Sequence, residues 1–461
     1  MIQEWDIVYI HSTKNPTNED NTRYGIMPMG IIAILNGLRA KGYRVLGVNM
    51  AVETYLDKDF CLESMLENIR YQVLMTDLHW YEHAFGAMYV AEQSKRVHPE
   101  VPVVIGGYTT TIYGREILEN FPQVDYAVTG DSDLPVEMLI HRLIGGGDTA
   151  LEEIPNLIYR DGAAVMTGKK KWVQTTLDDL DFLPIDFFAH WEHIPYLAAN
   201  GVAPRRRPSR WIGIARGCLY NCAYCCGARD NMQVLFGRCN VLKRSAEKVA
   251  EDFIALARVD QLVSPSHDLQ MFGKAYYAEI FNRIRESGQK PGMYLELFQL
   301  PTKDFIDEVA KTFDPAATLL EISPVSGNEQ LRRENGKHFS NDELYEMVSY
   351  IKSKGIRVCL YYTVNVVGET KAQFEDTYFQ MKYLRMVLGV RAVYYQRVVI
   401  DPLAGMREWK GVNAAYNSFM DYYHYCQIPY DDKLVSTGYC DQGELPMEKK
   451  VQMYEALFAR H

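Results

Sequence analysis

The sequence predicts an α/β protein with two successive βα domains and a helical C-terminal segment. Apolar, strand-like runs alternate with helix-like stretches along most of the chain, as parallel sheets require, because each crossover between parallel strands takes up a helix. The alternation occurs twice, on either side of a mixed stretch that is partly acidic and aromatic. We therefore predict a first domain over residues 1–145, a linker over 146–209, a second domain over 210–400 and the helical segment over 401–461.

The composition limits the classes of function. The 461-residue chain is 48% hydrophobic and 23% charged, which is ordinary for a globular protein. Its net charge of −10 makes nucleic acid a poor partner and suits a cationic small substrate. Apolar runs of about 18 residues and a signal-like start are both missing, so we expect no membrane association and a cytoplasmic location. Thiols stay reduced in that compartment, so the nine cysteines are not expected to pair.

The first predicted domain has five strand-like runs separated by helical segments such as "PMGIIAILNGLRAKG". The runs are "DIVYIHS", "YRVLGVNM", "YQVLMTDLH", "VPVVIGG" and "VDYAVTG". This order predicts a doubly wound, Rossmann-like parallel sheet, whose ligands bind beyond the carboxyl ends of the strands. The linker opens with a predicted strand–turn–strand, "LEEIPNLIYRDGAAVMTGKKKW", with Asp161 and Gly162 at the turn.

A cluster of cysteines opens the second domain, in the stretch "ARGCLYNCAYCCGA" at 215–228. Cys218, Cys222 and Cys225 form C-x3-C-x2-C, and no second Cys/His pair follows at the spacing of a zinc finger, which makes zinc a poor candidate. Three thiolates from one short loop suit an iron–sulfur cubane and leave its fourth iron open to another ligand. We interpret the adjacent Cys226 as a packing residue.

This motif, with Tyr224 just before its last cysteine, resembles that of the radical S-adenosylmethionine (SAM) superfamily. The resemblance implies a [4Fe–4S] cluster whose open iron chelates SAM and whose electron cleaves it to a 5′-deoxyadenosyl radical. The alternating runs over 210–400 are similar to the superfamily's partial (β/α)6 barrel, with a site at the carboxyl ends of the strands. A flavodoxin- or ferredoxin-type electron donor is then an expected partner. The basic run "RRRPSR" is either its docking site or, as we favour, a solvated approach to a strand.

Two segments extend the resemblance to individual residues. "LEISPVSGNEQLRRENGK" resembles the fourth-strand segment that approaches SAM, and "TVNVVGETKAQFED" resembles the fifth-strand motif along the adenine. An ion pair or a turn at a strand end is an equal alternative for each residue so implied. The residues implied to bind SAM are Tyr224, Glu321, Ser323, Ser326, Arg332, Gly368 and Glu369.

Four further residues are candidates for catalysis. Tyr220 in the cluster loop has a transferable phenolic hydrogen that could quench a product radical, although simple packing beside the cluster is the favoured interpretation. Glu296, His267 and Asp268 lie at predicted strand ends and are candidates to contact substrate hydroxyls and amines. Salt bridges at strand ends are an equal alternative for these three.

The first domain is similar to the cobalamin-binding domain that precedes many radical SAM barrels, on patterns such as "VVIGGYTTTIYGREIL". Its ligand motif, Asp-x-His-x-x-Gly, is matched only by Asp77 and His79, after the third strand, with Glu82 in place of the glycine. Gly106 and Gly107 either make a tight turn, which we favour, or allow a corrin to approach closely. Domains of this kind can bind cobalamin without a histidine ligand, so bound cobalamin stays an alternative, and we favour an empty, structural domain.

Three functions are compatible with these features. The whole chain most resembles the radical SAM diol dehydratases of aminoglycoside 3′-deoxygenation, of the apramycin type, which implies dehydration of a cation such as paromamine and a later NAD(P)H-dependent reductase. The alternative is a cobalamin-dependent radical SAM methyltransferase acting on an unactivated carbon of a natural product. A redox sensor ranks last, because a sensor needs no barrel after its cysteines.

Overall fold

A computed structural model describes residues 3–17, 25–197, 207–364, 366, 369–390, 392–397, 401–408, 416–428 and 445–458. These residues form two compact units. The first contains those up to Pro208, together with 234–238 and 417–428, and the second contains the remainder. None of the helices described is both long enough and apolar enough to cross a bilayer.

The first unit is built on a seven-stranded sheet of order β2-β1-β3-β4-β5-β6-β7. The first five strands are parallel, which confirms the doubly wound domain, and β6 and β7 add an antiparallel hairpin at the edge. The strands are β1 (Gln3–His11), β2 (Val45–Asn49), β3 (Ile69–Asp77), β4 (Val103–Gly106), β5 (Tyr126–Val128), β6 (Leu157–Asp161) and β7 (Ala164–Thr167).

Helices follow the parallel strands, and the strands are buried as a result. Ile7, Tyr9 and Val73 have no exposed surface, as expected for a parallel sheet that helices cover on both faces. The helices are α1 (Met29–Ala40), α2 (Met50–Leu56), α3 (Leu62–Glu67), α4 (Ala84–Val97), α5 (Tyr108–Asn120), α6 (Asp133–Ile144) and α7 (Ile194–Leu197).

The strand order places a switch point between β1 and β3. The chain moves from β1 to β2 on one side and then crosses to β3 on the other, so a crevice is expected at the carboxyl ends of β1 and β3. His11 ends β1 and Asp77 ends β3, which places both side chains at this edge.

Within the described residues, the second unit has six parallel strands joined by helices, as predicted for a partial (β/α)6 barrel. β8 pairs with β11, and β12 to β15 form a four-stranded sheet; a bridge between Val263 and Met293 links the two sheets. β9 and β10 form a short antiparallel pair. The strands are β8 (Ser209–Ile212), β9 (Ala215–Arg216), β10 (Leu242–Lys243), β11 (Leu262–Pro265), β12 (Tyr294–Leu297), β13 (Leu319–Val325), β14 (Arg357–Val364) and β15 (Ala392–Arg397).

Capping residues determine where the loops at the strand ends stop. Ser340 and Thr370 each form a capping box, with Glu343 and Gln373 respectively, so helices begin at Asn341 and at Lys371. The helices in this region are α8 (Arg229–Phe236), α9 (Ala246–Arg258), α10 (Lys274–Glu286), α11 (Lys303–Thr312), α12 (Glu329–Glu334), α13 (Asn341–Ser353) and α14 (Lys371–Met386).

The C-terminal segment is helical where it is described. α15 (Phe419–Gln427) belongs to the first unit, where Tyr422 packs on Tyr81 with their ring centroids 4.7 Å apart. α16 (Met447–Phe458) belongs to the second unit.

Candidate active site

The three cysteines of the motif lie on one loop between β9 and α8. Gly217 precedes them in the left-handed region (φ +95°), which favours glycine. The backbone N–H of Tyr220 donates to Cys218 Sγ (3.4 Å), and the N–H of Cys225 donates to the carbonyl of Cys222 (3.2 Å). The loop thus folds into successive turns that carry three free thiols.

A second loop lies directly on the cysteine loop. Gly336 has φ +87°, and a Cβ there would lie 3.2 Å from Cys222 Cα and 3.4 Å from its Sγ, so only glycine fits comfortably. Lys337, which is buried, donates from Nζ to the carbonyl of Phe298 (2.7 Å). Burial lowers the pKa of Lys337, and the nearby thiols act in the opposite direction. Three thiols beside a buried amine fit a [4Fe–4S] cluster, whose thiolate ligands are anionic.

Two of the three thiols, those of Cys218 and Cys225, have raised pKa values and carry their protons at neutral pH. Burial raises the pKa of Cys225 to about 12, with the carboxylate of Asp401 adding to the effect, and burial also raises the pKa of Cys218. Because thiolate is the form that binds metal, cluster assembly must release these protons.

Replacing Lys337 by methionine should lower the reduction potential of the assembled cluster. A positive charge beside a cluster stabilises its more negative, reduced state, so the loss of this charge makes reduction harder. The measurement is a redox titration of the cluster in the K337M variant, monitored by electron paramagnetic resonance. The control is Lys303→Met, at a lysine whose side chain is exposed. An unchanged potential in K337M would contradict the prediction.

His267 and Asp268 follow β11, and His267 supports the cysteine loop. His267 Nε2 donates to the carbonyl of Gly217 (3.0 Å), so Nδ1 accepts from the hydroxyl of Ser266 (2.8 Å); burial lowers the pKa of His267 to about 4. Asp268 accepts from the backbone N–H of Phe298 (3.1 Å), and burial raises its pKa to about 6. Their contacts are with protein groups, and their role toward substrate stays a prediction.

Tyr220 is part of the cysteine loop and packs against Phe298, whose backbone N–H donates to Asp268. Its ring packs edge-on against Phe298, with centroids 6.2 Å apart, and it lines a cavity of about 470 Å³ together with Gln299, Lys303 and His338. Burial raises the pKa of Tyr220 to about 12, which keeps the phenolic proton in place at neutral pH. Its role as a hydrogen donor is an untested prediction.

Two predicted residues from different strands meet in one site. Glu296 on β12 is the register partner of Glu321 on β13. The hydroxyl of Tyr294 lies 3.0 Å from Glu296 Oε1 and 2.8 Å from Glu321 Oε2, so it can donate its single proton to only one of them at a time. Trp211 on β8 packs perpendicular to Tyr294, with centroids 5.5 Å apart. Because side chains alternate along a strand, Tyr294 and Glu296 lie on one face of β12, and the buried Leu295 and Leu297 lie on the other.

The sequence interpretation missed Tyr294 and Trp211. Tyr294 stands two residues before Glu296, so the period of two along a strand was the available signal.

The remaining residues implied to bind SAM occupy different environments. Ser323 is half-buried on β13, where the register with β14 shifts between Ile322 and Val325. Tyr224 packs on a small apolar cluster that contains Val325 and Val366. Glu369 forms a buried ion pair with Lys450 of α16, at 3.4 Å. Gly368 lies outside the described residues.

Ser326 and Arg332 are both fully buried in one polar network. The Ser326 hydroxyl lies 3.1 Å from that of Thr377. Arg332 donates to the carbonyls of Ser326 (3.0 Å) and Phe339 (3.1 Å). It also donates to the side-chain oxygens of Asn341 (2.5 Å) and Gln380 (3.2 Å). These contacts are internal to the protein, and binding of SAM by either residue stays a prediction.

The first unit places a histidine at its switch point. His79 is half-buried after β3, and its ring packs against Trp80 and Tyr108, with centroids 4.8 and 6.1 Å apart. Burial lowers the pKa of His79 to about 4, so its imidazole is neutral at pH 7 and fits a cobalt ligand. A Cβ at Gly107 (φ +120°) would lie 2.6 Å from the carbonyl of Leu78, which supports the turn interpretation of that glycine.

Sequence models of two families match the chain. The model of the radical SAM superfamily matches residues 212–381, and the model of the B12 binding domain matches residues 20–140.

Three proteins of low sequence identity are similar to this chain. An uncharacterised methyltransferase of Pyrococcus horikoshii is 22% identical over 337 residues, which cover 71% of this chain and 66% of the relative. The radical SAM methyltransferase TsrM from Kitasatospora setae, solved with cobalamin and a [4Fe–4S] cluster, superposes with a TM-score of 0.66 at 15% identity over 99% of this chain and 91% of TsrM. The cobalamin-dependent SAM radical enzyme OxsB gives 0.58 at 11% identity, over 99% of this chain and 61% of OxsB.

The expectation of an empty first domain is wrong, because the match to the B12 binding domain points to bound cobalamin. The expectation relied on one short ligand motif, whereas the family match extends over most of the domain. The chain therefore carries a B12-binding domain followed by a radical SAM domain, and its fold matches that of cobalamin-dependent radical SAM enzymes.

Proposed function

We propose that this chain is a cobalamin-dependent radical SAM methyltransferase acting on a cationic small molecule. The observation that carries the proposal is the presence of a B12-binding domain on the same chain as the three-cysteine loop. Methyl transfer to an unactivated carbon needs both a methyl carrier and a hydrogen-abstracting radical, whereas radical dehydration needs no methyl carrier. We therefore prefer methyl transfer, which was the alternative in the sequence analysis, over diol dehydration.

Each cofactor has candidate residues in this proposal. Cys218, Cys222 and Cys225 would hold the cluster, which supplies the electron that cleaves SAM, and the flavodoxin- or ferredoxin-type protein would deliver that electron. His79 is the candidate cobalt ligand, because its imidazole is neutral at pH 7. Bound cobalamin would supply the methyl group. The protein itself holds the cysteine loop through His267 and contributes negative charge through Glu296 and Glu321.

The paired carboxylates offer a way to bring SAM and substrate together. Glu321, which the family resemblance assigns to SAM, and Glu296, a candidate for substrate, share the hydroxyl of Tyr294. Hydrogen abstraction needs the two molecules in contact, and adjacent anchors on neighbouring strands favour that geometry. The exposed carboxylate of Glu296 would pair with an ammonium group of the substrate. The aminoglycoside expected from the sequence falls within this class.

A product assay tests the reaction. Anaerobic protein with its cluster reconstituted is incubated with SAM, a strong reductant and paromamine as the probe, with or without methylcobalamin. We expect a product heavier by one methylene, together with S-adenosylhomocysteine, only when cobalamin is present. A product lighter by one water that forms without cobalamin would overturn the proposal and restore diol dehydration. Deoxyadenosine formed with unchanged paromamine would reject this substrate.

A further inference from the structure

Three buried side chains converge at the switch point of the first unit. His11 ends β1, Asp77 ends β3, and His83 immediately precedes α4. His11 and His83 have no exposed surface, and Asp77 is 5% exposed. One ligand atom from each residue lies within 4.8 Å of those from the other two. Among the described residues, this trio is the group of His, Cys, Asp or Glu side chains whose ligand atoms lie close enough together for one mononuclear metal ion, apart from the cysteines assigned to the iron–sulfur cluster.

Asp77 has one carboxylate oxygen without a hydrogen-bond partner among the described residues. Asp77 Oδ1 lies 2.8 Å from His11 Nδ1 and accepts from the hydroxyl of Tyr9 (2.6 Å). Asp77 Oδ2 is buried and has no hydrogen-bond partner in the described part of the chain. The rings of His11 and His83 are 5.0 Å apart. A buried carboxylate oxygen without a donor is costly, and a cation bound to it would remove that cost.

We propose that His11, Asp77 and His83 bind a divalent transition-metal ion, with Zn²⁺ as the best match. Two imidazoles and one carboxylate are a usual zinc donor set, whereas Mg²⁺ and Ca²⁺ select oxygen ligands. Tyr9 holds the carboxylate in place from outside the trio, as hydrogen-bonded partners of metal ligands usually do. The ion would tie the ends of β1 and β3 to the start of α4.

This ion is distinct from the cobalt of cobalamin. Cobalamin would bring its cobalt already coordinated by the corrin ring, so a site of three convergent protein ligands would suit a free ion instead. His79 is half-buried and lies outside the trio, so it remains available as the candidate ligand of the cobalt. The proposal therefore does not depend on the methyltransferase assignment.

Zinc binding is measured on full-length protein with the iron–sulfur cluster loaded, so that the cysteines of the motif are occupied. Zn²⁺ is titrated in competition with a chromophoric chelator, and the bound metal is examined by zinc K-edge X-ray absorption. We expect one Zn²⁺ per chain with nitrogen and oxygen ligands at about 2.0–2.2 Å and no sulfur. Failure of the wild-type protein to take up zinc, or sulfur ligands in its spectrum, would overturn the proposal.

Variants then locate the site. Asp77→Asn and His83→Gln should each weaken zinc binding by at least about tenfold, since even outer partners of metal sites contribute that much. The matched control is His98→Gln, a buried histidine of the same unit whose Nε2 contacts the carbonyl of Leu66 (3.1 Å). Wild-type affinity in both D77N and H83Q would refute the site, and the wild-type spectrum decides the question if either variant does not fold.

Discussion

Replacing Cys218, Cys222 or Cys225 by alanine is expected to abolish both the iron–sulfur cluster and the cleavage of SAM. Each thiol is one of three on a single loop, and a cubane held by two ligands would expose a second iron to solvent. Loss of a residue that only hydrogen-bonds to a metal ligand can lower activity by roughly 100-fold. Loss of a ligand itself should lower the formation of 5′-deoxyadenosine by more than that. Iron content, the visible absorbance of the cluster and deoxyadenosine yield measure the effect.

Cys226 provides a matched control for this experiment. It is adjacent to Cys225, and its backbone is anchored independently of its thiol: the N–H donates to Asp401 Oδ2 (3.2 Å) and the carbonyl accepts from Asn231 (3.0 Å). Cys226→Ala should therefore keep the iron content and the deoxyadenosine yield of the wild type. If C226A lost its cluster while C225A kept it, our choice of ligands within the motif would be wrong.

Local patterns account for the parts of the structure that the sequence predicted. The five apolar runs of the first domain became β1 to β5, because a parallel strand is mostly apolar over the part that helices cover on both faces. The hairpin at Asp161 and Gly162 followed from turn chemistry. That this hairpin would pair with β5 could not be inferred, since pairing with a distant strand leaves no mark on the sequence of either strand.

The same distinction applies to the candidate sites. The three cysteines lie within eight positions of one another and were visible as a motif. Glu296 and Glu321 received separate roles, and only the register between β12 and β13 brings them to one phenol.

The trio in the first unit was missed for a similar reason. Asp77 was considered only with His79, its neighbour in sequence, whereas the 2-1-3 strand order brings His11 beside it from 66 residues away. Contacts that depend on strand order and register therefore need the fold before they can be seen.

Replacing Arg332 by alanine is expected to destabilise the second unit by about 3 kcal/mol or more, because several buried hydrogen bonds from a charged group are lost together. Its guanidinium donates to four acceptors and also lies over the ring of Phe339, 4.9 Å from the centroid. Removing it leaves two carbonyls and two side-chain oxygens without this donor. The midpoint of denaturant unfolding of cluster-loaded protein measures the change.

Arg332→Lys separates this structural role from the SAM-binding role that the family resemblance implies. A lysine keeps the charge but lacks the planar fork of donors, so it cannot reach the acceptors on both sides and should destabilise the unit nearly as much as alanine does. A charge contact with SAM would instead be largely rescued by lysine. If R332A unfolds at the wild-type midpoint but binds SAM at least about tenfold more weakly, a difference of about 1.4 kcal/mol, and R332K restores that binding, then Arg332 serves the cofactor and the structural interpretation fails.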